Sequence, residues 1–167
     1  SKVFSMIKLR SMTVGASSSG VDSTATDDDR ITSVGRIVRK FKVDELPQLL
    51  NVLCGHMSLV GPRPNVEREV NIYTDKEMNL LSLRPGITDI ASIVFSDEGE
   101  ILKGKRDPDL AYNQIIRPWK SKLGLFYIEK QSFVLDLSLI YLTFLSAIDR
   151  ARALKGLHRI VMNPGAE

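Results

Sequence analysis

The residues with the clearest chemical potential are two adjacent carboxylates, Asp44 and Glu45. They lie near the start of a stretch that ends in a Pro-Arg-Pro loop, Lys42–Pro64 (KVDELPQLLNVLCGHMSLVGPRP). If a helix begins here, the carboxylates lie beside backbone N–H groups that have no partner within the helix, and such groups also suit a phosphate. An attacking carboxylate and a phosphate site could therefore share one place in the fold.

The same residues are also ordinary for the beginning of a helix. Asp44 is predicted as the N-cap, and Pro47 is tolerated in the first turn, where N–H groups need no partner within the helix. Gly55 is a good residue to end the helix, and leucines at helical spacing predict a buried stripe. That stripe consists of Leu46, Leu49, Leu50 and Leu53. Taken alone, these residues are explained by a purely structural role.

Cations around the pair favour a chemical role. Prolines on both sides of Arg63 stiffen the backbone that carries its guanidinium, which favours a fixed phosphate clamp over a plain surface charge. Arg36 and Arg39 are three residues apart, so both can lie on one helix face before Asp44. That face is either solvated or in contact with phosphate, and the sequence leaves both interpretations open.

Several motifs follow one another in a fixed order. They are KLRSM (Lys8–Met12), a long run that ends in GPRP (Asp27–Pro64), YT (Tyr73–Thr74) and LRPGIT (Leu83–Thr88). Together they resemble the bacterial sugar transferases that make polyprenyl-diphosphate-linked sugars, the monotopic phosphoglycosyl transferases. The segment Tyr127–Leu145 resembles the C-terminal amphipathic helix of that family more loosely.

The resemblance implies transfer of a sugar 1-phosphate from a nucleotide sugar, usually a UDP-sugar, to polyprenyl phosphate in the membrane. It implies that Asp44 is the nucleophile, which forms a covalent phosphosugar intermediate, and that Glu45 is a metal ligand or an acid/base partner. Mg²⁺ is the expected cofactor, held by Asp44 and Glu45, because it prefers carboxylate and phosphate oxygens. Cations must neutralise the diphosphate before a carboxylate can approach its phosphorus. The candidate substrate-binding residues are Lys8, Arg10, Arg39, Arg63 and Arg84.

A function from a different class is a non-catalytic scaffold. Such a domain would use its basic face to hold an anionic lipid or a phosphorylated ligand within a polysaccharide-assembly complex. The intact Asp44–Glu45 pair beside Arg63 favours the enzyme, because a simple anion binder gains nothing from two carboxylates in its pocket.

Length and composition predict a single domain with a real core. The 167 residues include 23 basic and 20 acidic ones, and a net charge of +3 is too small to imply nucleic acid. One cysteine excludes an internal disulfide framework and suits a reducing cytoplasm. No apolar run approaches the roughly 18 residues of a membrane span. Because the net charge is so small, nucleic acid is not an expected partner.

The family normally has a re-entrant membrane helix before this point. We therefore expect residues 1–167 to be a catalytic domain that lacks this N-terminal helix. The expected location is the cytoplasmic face of the bacterial inner membrane, with membrane lipid as a partner. A homo-oligomer is left open.

The expected fold is a predominantly helical α+β domain with a small β-hairpin remnant and amphipathic interfacial helices. Val3–Arg10 alternates imperfectly between apolar and polar residues, which predicts one strand of the hairpin. Gly15–Asp29 is small and polar, which is typical of a solvated linker or of a lid over the substrate. Thr74–Glu77 is a capping-box pattern that begins a helix ending near Ser82.

Two longer segments are predicted as helices. Ile31–Phe41 has helical character, and Thr32 or Ser33 can cap it. Its expected inward residues are Ile37, Val38 and Phe41. Phe133–Ile148 is the most apolar segment, and its apolar residues nearly encircle the axis. It is therefore either a core helix or a helix partly in contact with lipid.

Overall fold

The computed structural model describes residues 3–16, 20–21 and 23–162. The fold is predominantly helical with one small parallel sheet, so the predicted α+β class is confirmed. The strands are β1 (Ser58–Val60) and β2 (Gly86–Thr88). Shorter helical pieces are the 3₁₀ segments Val43–Glu45 and Glu77–Ser82 and the π-helical segment Tyr112–Ile116. The helices are α1 (Ser33–Lys40), α2 (Gln48–Leu53), α3 (Glu67–Val70), α4 (Ile90–Val94), α5 (Glu98–Leu102), α6 (Pro108–Ala111), α7 (Arg117–Lys130), α8 (Phe133–Ile148) and α9 (Arg150–Met162).

The sheet brings the Pro-Arg-Pro loop against the second strand. β1 and β2 are parallel, with Ser58 opposite Gly86. The Gly61 N–H donates to the Thr88 oxygen, and the Gly86 N–H donates to the Pro62 oxygen, each over 3.0 Å. A Cβ on Gly86 would lie only 2.2 Å from the Gly61 nitrogen. Glycine at position 86 is therefore required for this close approach.

The main core lies between the sheet and the C-terminal helices. Its buried members are Val60, Ile90, Ile93, Tyr127, Leu135, Leu139, Leu142, Ala153 and Leu157. Helices α8 and α9 pack closely because Gly156 faces Leu142, where a Cβ would lie 2.8 Å from the Leu142 Cδ2. A smaller cluster of Ala25, Leu102, Tyr112 and Ile116 lies beside it.

Helix α8 buries one apolar stripe and exposes another. Its N-cap is Ser132, and Leu139 is completely buried. Phe133, Phe144 and Ile148 are each more than two-thirds exposed, at 77%, 71% and 87%. The core-helix interpretation is therefore confirmed for one side of the helix. None of the helices in the described part of the chain is long and apolar enough to cross a bilayer.

The segment Val3–Arg10 does not form a strand, so the expected β-hairpin is wrong. Its backbone instead forms hydrogen bonds with α2 and with the adjoining 3₁₀ turn. The Ile7 N–H donates to Asn51 Oδ1, and the Leu9 N–H donates to the backbone oxygen of Asp44. A single antiparallel bridge joins Met12 to Ile31 just beyond it. Hydrogen bonds to a helix side chain and to a turn replace those of a neighbouring strand.

Helix α1 begins as predicted, but of the three residues predicted to face inward only Val38 is half-buried. Thr32 caps it by accepting a hydrogen bond from the Gly35 N–H. Gly35 is the buried residue of the helix, and it packs so closely that a Cβ there would lie 1.9 Å from the Ser11 backbone oxygen. Ile37 and Phe41 are 62% and 60% exposed, so their predicted inward orientation is wrong.

Helix α2 is also turned relative to the prediction. The predicted leucine stripe is exposed, from 45% at Leu49 to 83% at Leu53. The buried side carries Gln48 and Asn51, which are 0% and 2% exposed. Gly55 follows the helix with φ 76°, as expected of a residue that ends it. Helical spacing therefore identified the apolar side but not the side that packs.

The polar stretch Gly15–Asp29 is partly packed. Ala25 belongs to the smaller core cluster, and Ser23 is buried. Ser17–Ser19 and Asp22 lie outside the described residues. A purely solvated linker is therefore wrong for the part from Ser23 to Ala25.

Candidate active site

The 3₁₀ turn Val43–Glu45 places Asp44 at the floor of a cavity. The turn follows Lys42, whose left-handed backbone (φ 53°, ψ 23°) reverses the chain after α1. Asp44 is 3% exposed, and its backbone oxygen accepts a hydrogen bond from the Leu9 N–H over 3.0 Å. Helix α2 begins only at Gln48 with Pro47 in the N-cap position, so the predicted N-cap role of Asp44 is wrong. The carboxylate is thus not used for capping.

Lys8 forms ion pairs with both carboxylates. Its Nζ lies 3.4 Å from Asp44 Oδ2 and 3.7 Å from Glu45 Oε1. Because Asp44 is almost entirely removed from water, this ion pair is screened less than a surface pair. Lys8 therefore supplies a positive charge at the place where a phosphate would have to approach Asp44.

Arg63 holds Glu45 from the other side. Its Nη2 donates to Glu45 Oε1 over 2.9 Å, and its Nη1 donates to Gln48 Oε1 over 3.3 Å. The Nη1 also donates to the backbone oxygens of Gly86 and Ile87. Arg63 is not among the residues that line the cavity. In this structure the Pro-Arg-Pro loop thus orients Glu45.

Two buried amides on the inner side of α2 support these contacts. Asn51 Nδ2 donates to the Ser5 oxygen, and Asn51 Oδ1 accepts from the Ile7 N–H, each over 2.9 Å. These two bonds fix the segment that carries Lys8. Gln48 accepts from Arg63, and its Nε2 is buried without a hydrogen-bond partner among the described residues. Neither amide was predicted from the sequence, although their spacing places them opposite the leucines on a helix.

The cavity above Asp44 has a volume of about 960 Å³. This volume is at the upper end of what small-molecule and cofactor sites have. Besides Asp44 and Glu45, the cavity is lined by cations and by further carboxylates and hydroxyls. The cations are Lys8, Arg36, Arg39, Lys40, Lys42 and Arg150. The other polar residues include Ser23, Thr24, Thr26, Glu69, Ser96, Asp97, Glu98, Glu100 and Tyr112.

The remaining predicted substrate-binding residues are divided between the cavity and the outer surface. Arg39 lines the cavity, and its Nε donates to Ser11 Oγ over 2.9 Å. Arg10 and Arg84 are exposed and do not line it. The structure therefore brings Lys8 and Arg39 to the cavity with the Asp–Glu pair, and it leaves Arg10 and Arg84 outside.

Burial changes the protonation behaviour of several groups in the cavity wall. It lowers the pKa of the Lys42 ammonium, with the charge of Glu45 acting in the opposite direction. It raises the pKa of the Glu69 carboxyl and that of the Tyr112 hydroxyl. Each shift favours the neutral form because the wall is poorly solvated. For the Lys42 ammonium, an anionic ligand would therefore replace the hydration that burial removes.

Asp44 and Glu45 are the residues that could hold a metal ion. No group of three metal-ligating side chains lies together in the residues that the structure describes. Mg²⁺ is commonly bound by one or two carboxylates together with phosphates of a substrate. Two adjacent carboxylates at the floor of a cavity fit that donor set, with the substrate completing the coordination.

Several known proteins similar to this chain are described as sugar transferases or sugar-phosphate transferases. The family described as Bacterial sugar transferase matches residues 1–150. EpsL of Bacillus subtilis, described as an uncharacterized sugar transferase, is 39% identical over 142 residues, which cover 85% of this chain and 61% of EpsL.

Two further relatives have more specific descriptions. A UDP-glucose:undecaprenyl-phosphate glucose-1-phosphate transferase of Caulobacter vibrioides is 37% identical over 124 residues, which cover 70% of this chain and 46% of the relative. A UDP-N-acetylgalactosamine-undecaprenyl-phosphate N-acetylgalactosaminephosphotransferase of Aeromonas hydrophila is 33% identical over 132 residues, or 74% of this chain and 30% of the relative. The chain thus spans between 30% and 61% of the lengths of these three relatives.

Proposed function

The chain belongs to the bacterial sugar transferases, and we propose that it transfers a sugar 1-phosphate from a UDP-sugar to polyprenyl phosphate. The observation that carries this proposal is the recessed Asp44 carboxylate, with the Lys8 Nζ 3.4 Å away, at the floor of a cavity of about 960 Å³. The descriptions of the Caulobacter vibrioides and Aeromonas hydrophila relatives name a UDP-sugar and undecaprenyl phosphate, which supports the same two substrate classes.

In the first displacement, an Asp44 carboxylate oxygen attacks the phosphorus that carries the sugar. A bond forms between that oxygen and phosphorus, and the bond from phosphorus to the bridging oxygen of the diphosphate breaks. The nucleoside monophosphate leaves with the electron pair. The product on the protein is an aspartyl phosphosugar, which divides one difficult transfer into two steps.

In the second displacement, a phosphate oxygen of the polyprenyl phosphate attacks the same phosphorus. The bond between phosphorus and the Asp44 oxygen breaks, and the carboxylate is regenerated. The lipid product contains a diphosphate linked to the sugar. The water-soluble donor and the lipid acceptor therefore never have to react directly with each other.

The neighbouring residues make the attack possible by reducing charge repulsion. Lys8 lies beside both carboxylates and is positioned to neutralise a phosphate oxygen that approaches Asp44. Arg63 holds Glu45 in a fixed orientation. When Mg²⁺ is bound by Asp44 and Glu45, it supplies further neutralisation of phosphate oxygens.

A lipid acceptor also gives a role to the exposed apolar residues of α1 and α2. Ile37 on α1 and Phe41, which directly follows α1, are 62% and 60% exposed, and Leu50 on α2 is 52% exposed. Exposed apolar residues together with the exposed cations Arg36 and Lys40 suit the surface of an anionic membrane. We therefore place this side of the protein against the cytoplasmic face of the bacterial inner membrane.

Sedimentation with vesicles tests the membrane contact. Leu50→Asp should reduce binding to vesicles of phosphatidylglycerol, because it places a carboxylate against an anionic, apolar surface. Leu110→Asp is the matched control, since Leu110 lies on α6 and is 53% exposed. Equal binding of the two variants would contradict this orientation.

Release of nucleoside monophosphate tests the transfer itself. The protein is reconstituted in lipid with polyprenyl phosphate and Mg²⁺ and supplied with a panel of UDP-sugars, and release of UMP is followed. We expect release with at least one sugar, loss of release on chelation of Mg²⁺, and loss in Asp44→Asn. Asp75→Asn, at an exposed position away from the cavity, should retain the wild-type rate. Wild-type release by Asp44→Asn would overturn the proposal.

A further inference from the structure

Lys42 has an unusual backbone for a lysine. It is the only non-glycine residue with positive φ in the part of the chain that the structure describes. Its N–H donates to the Arg39 oxygen at the end of α1, and its own oxygen accepts from the Glu45 N–H in the turn that carries Asp44. The left-handed region is disfavoured for residues with a Cβ, and glycine usually occupies such a position after a helix. Strain of this kind persists only where the surrounding structure enforces it, and it clusters at active sites and ligand-binding positions.

The Lys42 side chain lines the cavity and is half-buried there. Among the described residues, its Nζ makes no ion pair and no side-chain hydrogen bond. Each of the other cations of the cavity either has a partner or is exposed to solvent. Lys8 pairs with Asp44, Arg150 pairs with Asp97, and Arg39 donates to Ser11, whereas Arg36 and Lys40 are exposed to solvent.

A half-buried ammonium without an ion-pair partner is costly, because it has lost hydration and has no counter-charge in direct contact. An anion that enters the cavity would provide that counter-charge. Lys42 is two residues from Asp44, in the same turn, and both side chains line the same space. An anion that reaches Asp44 therefore comes within the neighbourhood of Lys42.

We propose that the Lys42 ammonium binds phosphate oxygens of the nucleotide-sugar diphosphate in the cavity above Asp44. This inference rests on the proposed function, since it assigns a contact to the donor of that reaction. It adds a cation that was not predicted from the sequence, and it explains why a lysine occupies a left-handed position. Lys8 then neutralises the phosphate oxygen that lies nearest to Asp44, and Lys42 contacts other oxygens of the same diphosphate.

The backbone conformation at Lys42 allows a variant that removes the ammonium without straining the fold. Lys42→Gly removes the ammonium and replaces a strained residue by the one that adopts φ 53° without strain. Its melting temperature should therefore equal or exceed that of the wild type. Lys42→Arg keeps a cation at the same backbone position. Lys130→Ala, on the exposed end of α7, removes one positive charge away from the cavity.

Calorimetric titration of the full chain with UDP and Mg²⁺ measures the contact without any turnover. Lys42→Gly should weaken UDP binding roughly tenfold or more, as expected for loss of a charged hydrogen bond. Lys42→Arg should recover most of the affinity, and Lys130→Ala should bind as the wild type does. In the complete reaction, Lys42→Gly should raise KM for the nucleotide sugar and leave KM for polyprenyl phosphate unchanged.

Two results would overturn the inference. One is wild-type UDP affinity in a folded Lys42→Gly variant, and the other is a selective increase of KM for polyprenyl phosphate, which would assign Lys42 to the lipid phosphate. In both cases the transfer through Asp44 would still stand, because it is measured separately by UMP release. Failure of Asp44→Asn to abolish UMP release in a protein that binds UDP through Lys42 would overturn the proposed function alone.

Discussion

The Arg63 guanidinium donates from Nη2 to Glu45 Oε1 over 2.9 Å, so the Pro-Arg-Pro loop holds the carboxylate next to Asp44. The same guanidinium is bonded to Gln48 and to the carbonyl oxygens of Gly86 and Ile87. Four acceptors leave it little freedom, because the planar donors of arginine match them only in one orientation. The loop therefore fixes Glu45 relative to the sheet.

Replacing this arginine by lysine should impair the reaction more than donor binding. Arg63→Lys keeps the charge but cannot reach Glu45, Gln48 and two carbonyl oxygens at once. We expect kcat to fall about 10- to 100-fold, on the order of 1.5 to 3 kcal/mol for a charged hydrogen bond, with KM for the nucleotide sugar within about threefold. Steady-state kinetics separate the two constants. Arg106→Lys, in an exposed loop, is the control, and an unchanged kcat in Arg63→Lys would refute the positioning role.

Removal of the Asn51 amide should release the segment that carries Lys8. Asn51→Ala leaves the Ser5 oxygen and the Ile7 N–H without their partners, which should lower the free energy of unfolding by about 1 to 3 kcal/mol. Hydrogen exchange of a peptide covering residues 3–11 should accelerate markedly. Asn79→Ala at an exposed position serves as the control. Unaltered exchange in the Asn51 variant would show that other contacts hold the segment.

The close approach of Gly61 and Gly86 should be intolerant of a methyl group. Gly86→Ala places a Cβ about 2.2 Å from the Gly61 nitrogen, so the backbone must move, at a cost of about 3 kcal/mol. Gly104→Ala is the comparison, because that glycine has φ 67° but no atom near the added Cβ. It should cost only about 1 to 2 kcal/mol in backbone strain. Urea unfolding measures both, and equal losses would contradict the packing explanation.

Glu77 should make stability depend on acidic pH. Burial alone would raise its pKa, but hydrogen bonds from Ser121 and Thr74 and the charge of Arg117 outweigh burial and hold the pKa below its ordinary 4.5. Its contribution is therefore fully present above about pH 4.5 and is lost as the pH falls through the lower folded-state pKa.

The variant Glu77→Gln isolates this effect. It should be less stable than the wild type at pH 7 by about 1 kcal/mol, and the difference should shrink on acidification below pH 4.5. Urea midpoints at pH 7 and pH 3 measure the change. Glu129→Gln, exposed on α7, should follow the wild type at both values. A stability difference that is the same at both pH values would contradict a lowered pKa at Glu77.

Two local capping signals in the sequence predicted local structure well. The Thr32 cap is present, and the capping box at Thr74 and Glu77 is formed by the Thr74 N–H donating to Glu77 Oε2 over 2.9 Å. That box begins a 3₁₀ segment instead of an α-helix. Such signals succeed because donor and acceptor lie within four residues of each other, so the rest of the fold has little influence.

Burial that depends on contacts between distant parts of the chain could not be predicted in the same way. The spacing of the leucines on α2 marks an apolar side, but whether that side is covered depends on which other elements lie there. The amides Gln48 and Asn51 are buried because Arg63 and the segment Ser5–Leu9 reach them, and these partners are distant in the chain. Polar amides opposite a leucine stripe are the one signal that could have suggested this.

The sequence predicted the two central carboxylates of the candidate site but only some of the residues around them. Asp44, Glu45, Lys8 and Arg39 do line one cavity, whereas Arg63 lies behind Glu45. Lys42 was not predicted as a binding residue, since a left-handed backbone at a lysine leaves no pattern in the sequence. The residues that escaped prediction are those that depend on a turn geometry or on a partner far along the chain.

The most direct test of transfer through Asp44 is the mass of the intact protein after incubation with its nucleotide sugar and Mg²⁺ in the absence of polyprenyl phosphate. We predict that the wild type gains the mass of one sugar phosphate, that fragmentation locates it on Asp44, and that polyprenyl phosphate removes it. Asp75→Asn should gain the same mass, and Asp44→Asn should gain none. Formation of the adduct in Asp44→Asn, or turnover by a wild type that never carries it, would contradict the central claim.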